Sequence, residues 1–268
     1  MVDVGDGTPV VLVPGIQGRW EWMRPTVSAL AERCRVITFS LAGERGTTPV
    51  AACVPPFDRF VHQVDEALDG AGVARAAICG VSYGGLIALR YAAARPHRVT
   101  ALVLVSAVGP AWRPDGRVSR YVRRPWLTAP AFFVTAPLQL RPEVKAAFPH
   151  PLARLRFMAR HAARVVTAPT SPARMAERVR LASGIDFVAD CRAVSVPTLV
   201  VTGEPALDRV VPVEQTREYL RLIPRSRAAT LEGTGHIGLI TKPGRFAEVV
   251  GGFVDACRKR RDRRGRRD

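Results

Sequence analysis

Ser82 stands in Gly80-Val81-Ser82-Tyr83-Gly84, a G-x-S-x-G run between the apolar stretch RAAIC and the helical pattern GGLIALRYAAA. A serine hydroxyl is a weak nucleophile at its own pKa. It needs a base within hydrogen-bond reach, and the base needs an acid to orient it. A strand, a sharp turn and a helix in that order would project Ser82 above a sheet edge, with glycines on either side relieving the crowding of the turn. Of the histidines, His62, His97, His150 and His161 fall in helical patterns, at a helix end or in a Pro- and Arg-rich segment, where surface or structural roles are expected. His236 differs: LEGTGHIGLITKPGRF is a glycine-punctuated stretch between the last apolar run and the last helical pattern. It is the candidate base. Asp208, in EPALDRVVP, follows the preceding apolar run VPTLVVTG, so the order is Ser, Asp, His with separations of 126 and 28 residues. Glu204 lies in the same stretch and stays open as the substitute acid.

Attack on a carbonyl also needs donors for the negative oxygen that develops, usually backbone N–H groups. Tyr83 supplies one by position. The second is expected from the turn after the first long apolar run, VPGIQGRW, where Ile16 offers its N–H.

These residues need a scaffold that brings distant loops to one edge. PVVLVPG, CRVITFS, RAAICG, VTALVLVS, VPTLVVTG and SRAATLEG are short apolar runs, most ending in Gly or Ser, and helical patterns lie between several of them. Continuous apolar strands alternating with amphipathic helices predict an α/β chain with a mostly parallel central sheet and helices on both faces. The alternation stops after Ser106. Residues 110–190 are rich in Pro and Arg, show no strand-like run, and in their later part read as helices opened by proline. The expected organisation is a core (1–109), a helical cap insertion (110–190), the rest of the core (191–257) and a basic disordered tail (258–268). Aromatic residues of the insertion, Trp112, Trp126, Phe132 and Phe133, are the candidates for an apolar substrate pocket.

The net charge of +17 invites a nucleic-acid reading, but its distribution argues against one. The tail RKRRDRRGRRD holds eight basic and two acidic residues, and residues 111–190 hold fourteen basic and five acidic, leaving the fold-forming remainder at only +2. A weak contact of the tail with polyanions is the expected limit. Five scattered cysteines without a C-x-x-C pair suggest neither a disulfide framework nor a zinc site. The opening MVDVGDGTPVV lacks the basic-then-apolar order of a signal peptide, and no run is long enough to span a bilayer, so a cytoplasmic protein is expected.

With LVPGIQG, SLAGERGT, GVSYGG, VTGEPALDRVVP and GHIGLITKPGRF in this order, the chain resembles the α/β-hydrolase superfamily, in its form with a helical cap inserted between strands 6 and 7. The resemblance implies a catalytic triad of Ser82, Asp208 and His236, oxyanion donors at Ile16 and Tyr83, and no metal or organic cofactor. It implies a small-molecule substrate cleaved at a carboxylic ester or related acyl bond through an acyl-serine. C–C bond hydrolases, thioesterases, lactonases and perhydrolases use the same triad, and a binding module on this scaffold is the non-catalytic rival. The chain departs from the usual pattern in having Pro14-Gly15 where many relatives have His-Gly, Ser40–Gly46 in place of an Asp-x-x-Gly-x-Gly loop, two extra residues in the acid loop, and only MVDV before GDGTPVV.

Overall fold

The computed structural model describes residues 1–47 and 55–264. Seven strands form one sheet: β1 (Val2–Val4), β2 (Pro9–Val13), β3 (Arg35–Thr38), β4 (Ala76–Val81), β5 (Val99–Val105), β6 (Thr198–Thr202) and β7 (Ser226–Thr230). Their order is β1-β3-β2-β4-β5-β6-β7, with β1 antiparallel and every other pairing parallel. The helices are α1 (Arg24–Ala31), α2 (Asp58–Gly70), α3 (Tyr83–Ala94), α4 (Gly116–Arg123), α5 (Pro125–Ala147), α6 (Pro151–Thr167), α7 (Pro172–Ser183), α8 (Phe187–Ala193), α9 (Val213–Leu222), α10 (Gly238–Thr241) and α11 (Pro243–Arg264).

Because side chains alternate across a strand, each central strand feeds two cores. Val11, Val13, Ile78, Leu102 and Leu104 face α2, α3, α8 and α9, whereas Val10, Leu12, Cys79, Val103 and Val105 face α1, α10 and α11. Burial on both faces is why the runs read as continuously apolar. The parallel order also sends the loops after β2, β4, β6 and β7 to one edge of the sheet. That edge is where Ile16, Ser82, Asp208 and His236 sit.

Four elements differ from the sequence reading. MVDV is a paired edge strand rather than a remnant: β1 pairs with β3, and Asp3 receives two hydrogen bonds from Arg35 at 2.6 and 3.0 Å. One strand thus precedes β2, and the five-helix insertion falls between β5 and β6 in the chain's own numbering. Residues 125–147 form a single helix despite Pro130, Pro137 and Pro142 inside it. Each proline removes one N–H from the helical ladder, and this hid the helix from a periodicity reading. The tail is helical as far as Arg264, since α11 runs on with Arg258 near Asp255 and Asp262 at (i, i−3) and (i, i+4). Residues 265–268 lie outside the described residues, as does Cys53.

The end of the insertion belongs with the core: α8 packs on α3, burying Phe187 and Cys191, and Asp190 accepts from Arg90 at 2.9 Å. The helices that overlie the sheet edge are α4 to α7.

Candidate active site

Ser82 occupies the junction of β4 and α3 at φ +52 and ψ −118, a conformation non-glycine residues rarely adopt. Its N–H donates to the Val105 carbonyl at 2.8 Å and its own carbonyl accepts from Gly85 N–H at 2.9 Å, so the turn is held from both sides. The flanking glycines have a steric reason. A Cβ at Gly80 would collide with the Gly84 carbonyl, and one at Gly84 with the carbonyls of Val13 and Pro14. The second contact also explains why the loop after β2 sits beside the serine.

His236 and Asp208 meet because their loops are fastened together. A Cβ at Gly203 would collide with the backbone of Thr234 and Gly235, one at Gly235 with the backbone of Leu207 and Asp208, and Glu204 N–H donates to the Thr234 carbonyl at 2.8 Å. His236 Nε2 then lies 3.2 Å from Ser82 Oγ, and His236 Nδ1 lies 3.3 Å from Asp208 Oδ2. Asp208 is buried. Its Oδ1 accepts from the N–H groups of Val210 and Val211, each at 3.0 Å, which leaves Oδ2 for the imidazole. Glu204 points elsewhere: its Oε1 accepts from Gly233 N–H. The structure therefore brings Ser82, His236 and Asp208 together and sets Glu204 to bracing the loop.

Tyr83 is the first residue of α3, so its N–H has no partner within the helix and lies at the positive end of the helix dipole. Its phenol is buried and donates to the Arg178 carbonyl at 2.9 Å, and burial raises its pKa. Ile16 lies in the tight turn closed by Gly18 N–H donating to the Gly15 carbonyl at 2.9 Å, and a Cβ at Gly15 would lie 3.5 Å from that of Ser82.

Ser82 and His236 open into a cavity of about 340 Å³, within the range of small-molecule sites. Phe132 and Phe133, on α5, line it together with Leu140, Phe157, Met158 and Val165. Trp112 and Trp126 do not. Trp112 is half-buried in the loop after β5, and Trp126, near the start of α5, is 67% exposed. Along α5 the cavity wall begins at Phe132, more than a turn and a half after Trp126, whose side chain is in solvent. His161 is a wall residue rather than a surface one. Its ring stacks on Phe157 at 5.9 Å and meets Trp22 edge-on at 6.0 Å, and burial lowers its pKa.

Two buried charged residues of the insertion were missed by sequence reasoning. Arg178 of α7 is 2% exposed; it donates to Glu44 at 2.7 Å and to the Ile16 carbonyl at 2.8 Å. It thus ties α7, the Ser40–Gly46 loop and the turn beside Ser82. Removing either partner would strand a buried charge at a cost of about 3–5 kcal/mol. The available signal was its place among Met175, Val179 and Ala182 on the buried face of α7.

Glu143 of α5 is fully buried, accepting from Ile237 N–H at 3.0 Å and from the Thr241 hydroxyl at 3.3 Å. It joins the insertion to the residue after His236. Burial pushes its pKa above the usual carboxylate range, against the lowering effect of hydrogen bonds from Ile237, Gly235 and Thr241 and the charge of His236. The native state therefore holds this proton more tightly than the unfolded chain. Its contribution to stability is full below the unfolded glutamate pKa and falls as pH rises to the raised one. Glu143→Gln keeps an acceptor for Ile237 and carries no charge, so its melting temperature relative to wild type is expected to rise with pH across that window. Glu143→Ala is expected to cost about 2–4 kcal/mol at the low end of that window, by leaving Ile237 N–H unpaired and opening a cavity, and less as pH rises through it. Thermal melts from pH 4 to pH 8 check both.

A family model described as alpha/beta hydrolase fold matches residues 8–243. A protein of Azorhizobium caulinodans, provisionally named carbamate hydrolase RutD, is 29% identical over 93% of this chain and 92% of its own. The 2-hydroxy-6-oxo-2,4-heptadienoate hydrolase of Pseudomonas putida is 28% identical over 95% of this chain and 91% of its own. The solved structure of the enol-lactonase from Burkholderia xenovorans superposes with a TM-score of 0.72 at 22% identity, covering 94% of this chain and 92% of that one.

Proposed function

Since the chain belongs to the alpha/beta hydrolase fold family, we propose that it is a serine hydrolase that cleaves a carboxylic ester, open or cyclic, with an apolar acyl part. The observation that carries this reading is the line from Asp208 through His236 to Ser82, at 3.3 and 3.2 Å, at the edge of an apolar cavity. Distances slightly longer than a tight hydrogen bond are common before substrate is bound.

In this mechanism Asp208 accepts a hydrogen bond from His236 Nδ1–H, which keeps that proton on Nδ1 and leaves Nε2 free to take the Ser82 proton. Oγ attacks the ester carbonyl. The electron pair displaced onto the carbonyl oxygen is held by the N–H groups of Tyr83 and Ile16. Collapse expels the alkoxide, which receives the proton from His236, and an acyl-serine remains. Water then gives a proton to His236, attacks the acyl carbonyl and releases the carboxylic acid, and Ser82 recovers its proton. No metal or organic cofactor enters these steps.

The names of the relatives offer carbamate cleavage and hydrolysis of a 2-hydroxy-6-oxo-dienoate as rival reactions. The cavity favours the ester. Its lining is mostly carbon, and its one arginine, Arg19, is already paired with Glu21 at 2.6 Å, leaving little to attract a substrate carboxylate. With p-nitrophenyl esters of increasing acyl length, kcat/KM is expected to rise about three- to fourfold per added CH2, following about 0.8 kcal/mol for each one buried, until the cavity is full. Lactones, thioesters and carbamates run alongside place the preference. A flat response to chain length, or faster turnover of a carbamate, would overturn the ester reading.

A further inference from the structure

The cap exposes an apolar face that the hydrolytic site does not explain. Twelve large hydrophobic side chains are exposed among the described residues, and nine of them lie on α5 and α6. Trp126, Leu127, Val134 and Leu138 on α5, and Leu155 and Val166 on α6, are each between 59% and 77% exposed. From Pro125 to Leu140 the chain has no charged residue. Nine exposed large apolar side chains on two consecutive helices that line one cavity mark a surface that meets something apolar.

Charge identifies the partner. From Gly116 to Thr167 there are ten basic residues and one acidic residue, Glu143, and Glu143 is fully buried. Arg123, Arg124 and Arg141 bracket the uncharged stretch of α5, while Arg156 and Arg160 stand exposed on α6. Apolar side chains with a tryptophan, rimmed by arginines and free of exposed carboxylates, match the interface of an anionic bilayer: hydrocarbon below, negative headgroups above. The face is also continuous with the cavity. Phe133, Met158 and Val166 line the cavity and are themselves 41%, 39% and 77% exposed, so its wall runs out onto the patch between α5 and α6.

We propose that the α5–α6 face is a docking surface for anionic lipid membranes, set so that the cavity opens toward the bilayer. No helix among the described residues is long and apolar enough to cross a membrane, and the contact proposed is peripheral. An apolar substrate dissolved in the bilayer would then reach Ser82 without crossing water. This last step rests on the ester hydrolase reading, but membrane docking does not.

The test is flotation of the full chain with vesicles of phosphatidylcholine alone and of phosphatidylcholine mixed with phosphatidylglycerol, at low and high salt. Wild type is expected to float with the anionic vesicles at low salt and to be released by high salt. The variant Leu127→Gln/Val134→Gln/Leu138→Gln, which alters no residue of the cavity wall, is expected to partition roughly tenfold less or weaker still, with an unchanged melting temperature. Binding is read without turnover, so it stands or falls separately from catalysis. Three results would overturn the proposal: no flotation of wild type, equal flotation of the variant because the α11 tail does the binding, or a wild-type dimer that the variant dissociates without any lipid binding.

Discussion

Replacing His236 with alanine is expected to lower kcat by about 10⁵- to 10⁶-fold with little change in KM. The expectation follows from what remains. Ser82 keeps its place in the strained turn, held by Val105 and Gly85, and the proposed oxyanion donors, the N–H groups of Tyr83 and Ile16, are untouched by the substitution. Only the route for the proton is lost, and a neutral hydroxyl attacks an ester slowly. Substrate is held mainly by the apolar wall, which the substitution leaves intact, so the loss falls on the chemical step. Steady-state kinetics separate the two parameters. A fall in kcat of less than about 10²-fold would mean that another group takes the proton.

Asp208→Asn is expected to cost about 10⁴-fold in kcat, and Glu204→Gln only a few-fold. Asp208 turns one oxygen to two backbone N–H groups and the other to His236 Nδ1, so it is the carboxylate placed to keep the proton on Nδ1 and to balance the imidazolium. An amide in its place can offer an N–H to the ring and favour the wrong tautomer. Glu204 accepts from Gly233 and would continue to do so as glutamine. A larger loss from Glu204→Gln than from Asp208→Asn would reverse the assignment. The pair of variants thus decides between Asp208, the acid the sequence favoured, and Glu204, which it left open as the substitute.

The parts of the fold that were legible in the sequence are those where one physical requirement acts on neighbouring residues. Strands buried on both faces must be apolar throughout, which made β2 to β6 visible as runs such as VVLV and LVLV. The turn after β4 leaves no room for side chains at two positions, so Gly80 and Gly84 announced Ser82. Loops that follow parallel strands collect at one edge, and that placed Asp208 and His236 beside it.

What was hidden depends on partners far apart in the chain. Glu143 reads as an ordinary carboxylate in RPEV, and its partner Ile237 is 94 residues away. Arg178 looks like one arginine among many, although it binds Glu44 across 134 residues. Helix α5 was concealed by its prolines. Trp126 was assigned to the pocket on residue type alone; its side chain is in solvent, and the α5 residues that line the cavity begin at Phe132. In each case the deciding quantity was a three-dimensional neighbour rather than a local pattern.

The central claim, that Ser82 is a nucleophile activated by His236, is tested most directly by a fluorophosphonate probe followed by peptide mapping. The folded protein is expected to be labelled at Ser82 alone, with labelling abolished in Ser82→Ala and strongly slowed in His236→Ala. A folded wild-type protein that takes up no probe, or that is labelled equally well without Ser82, would contradict it.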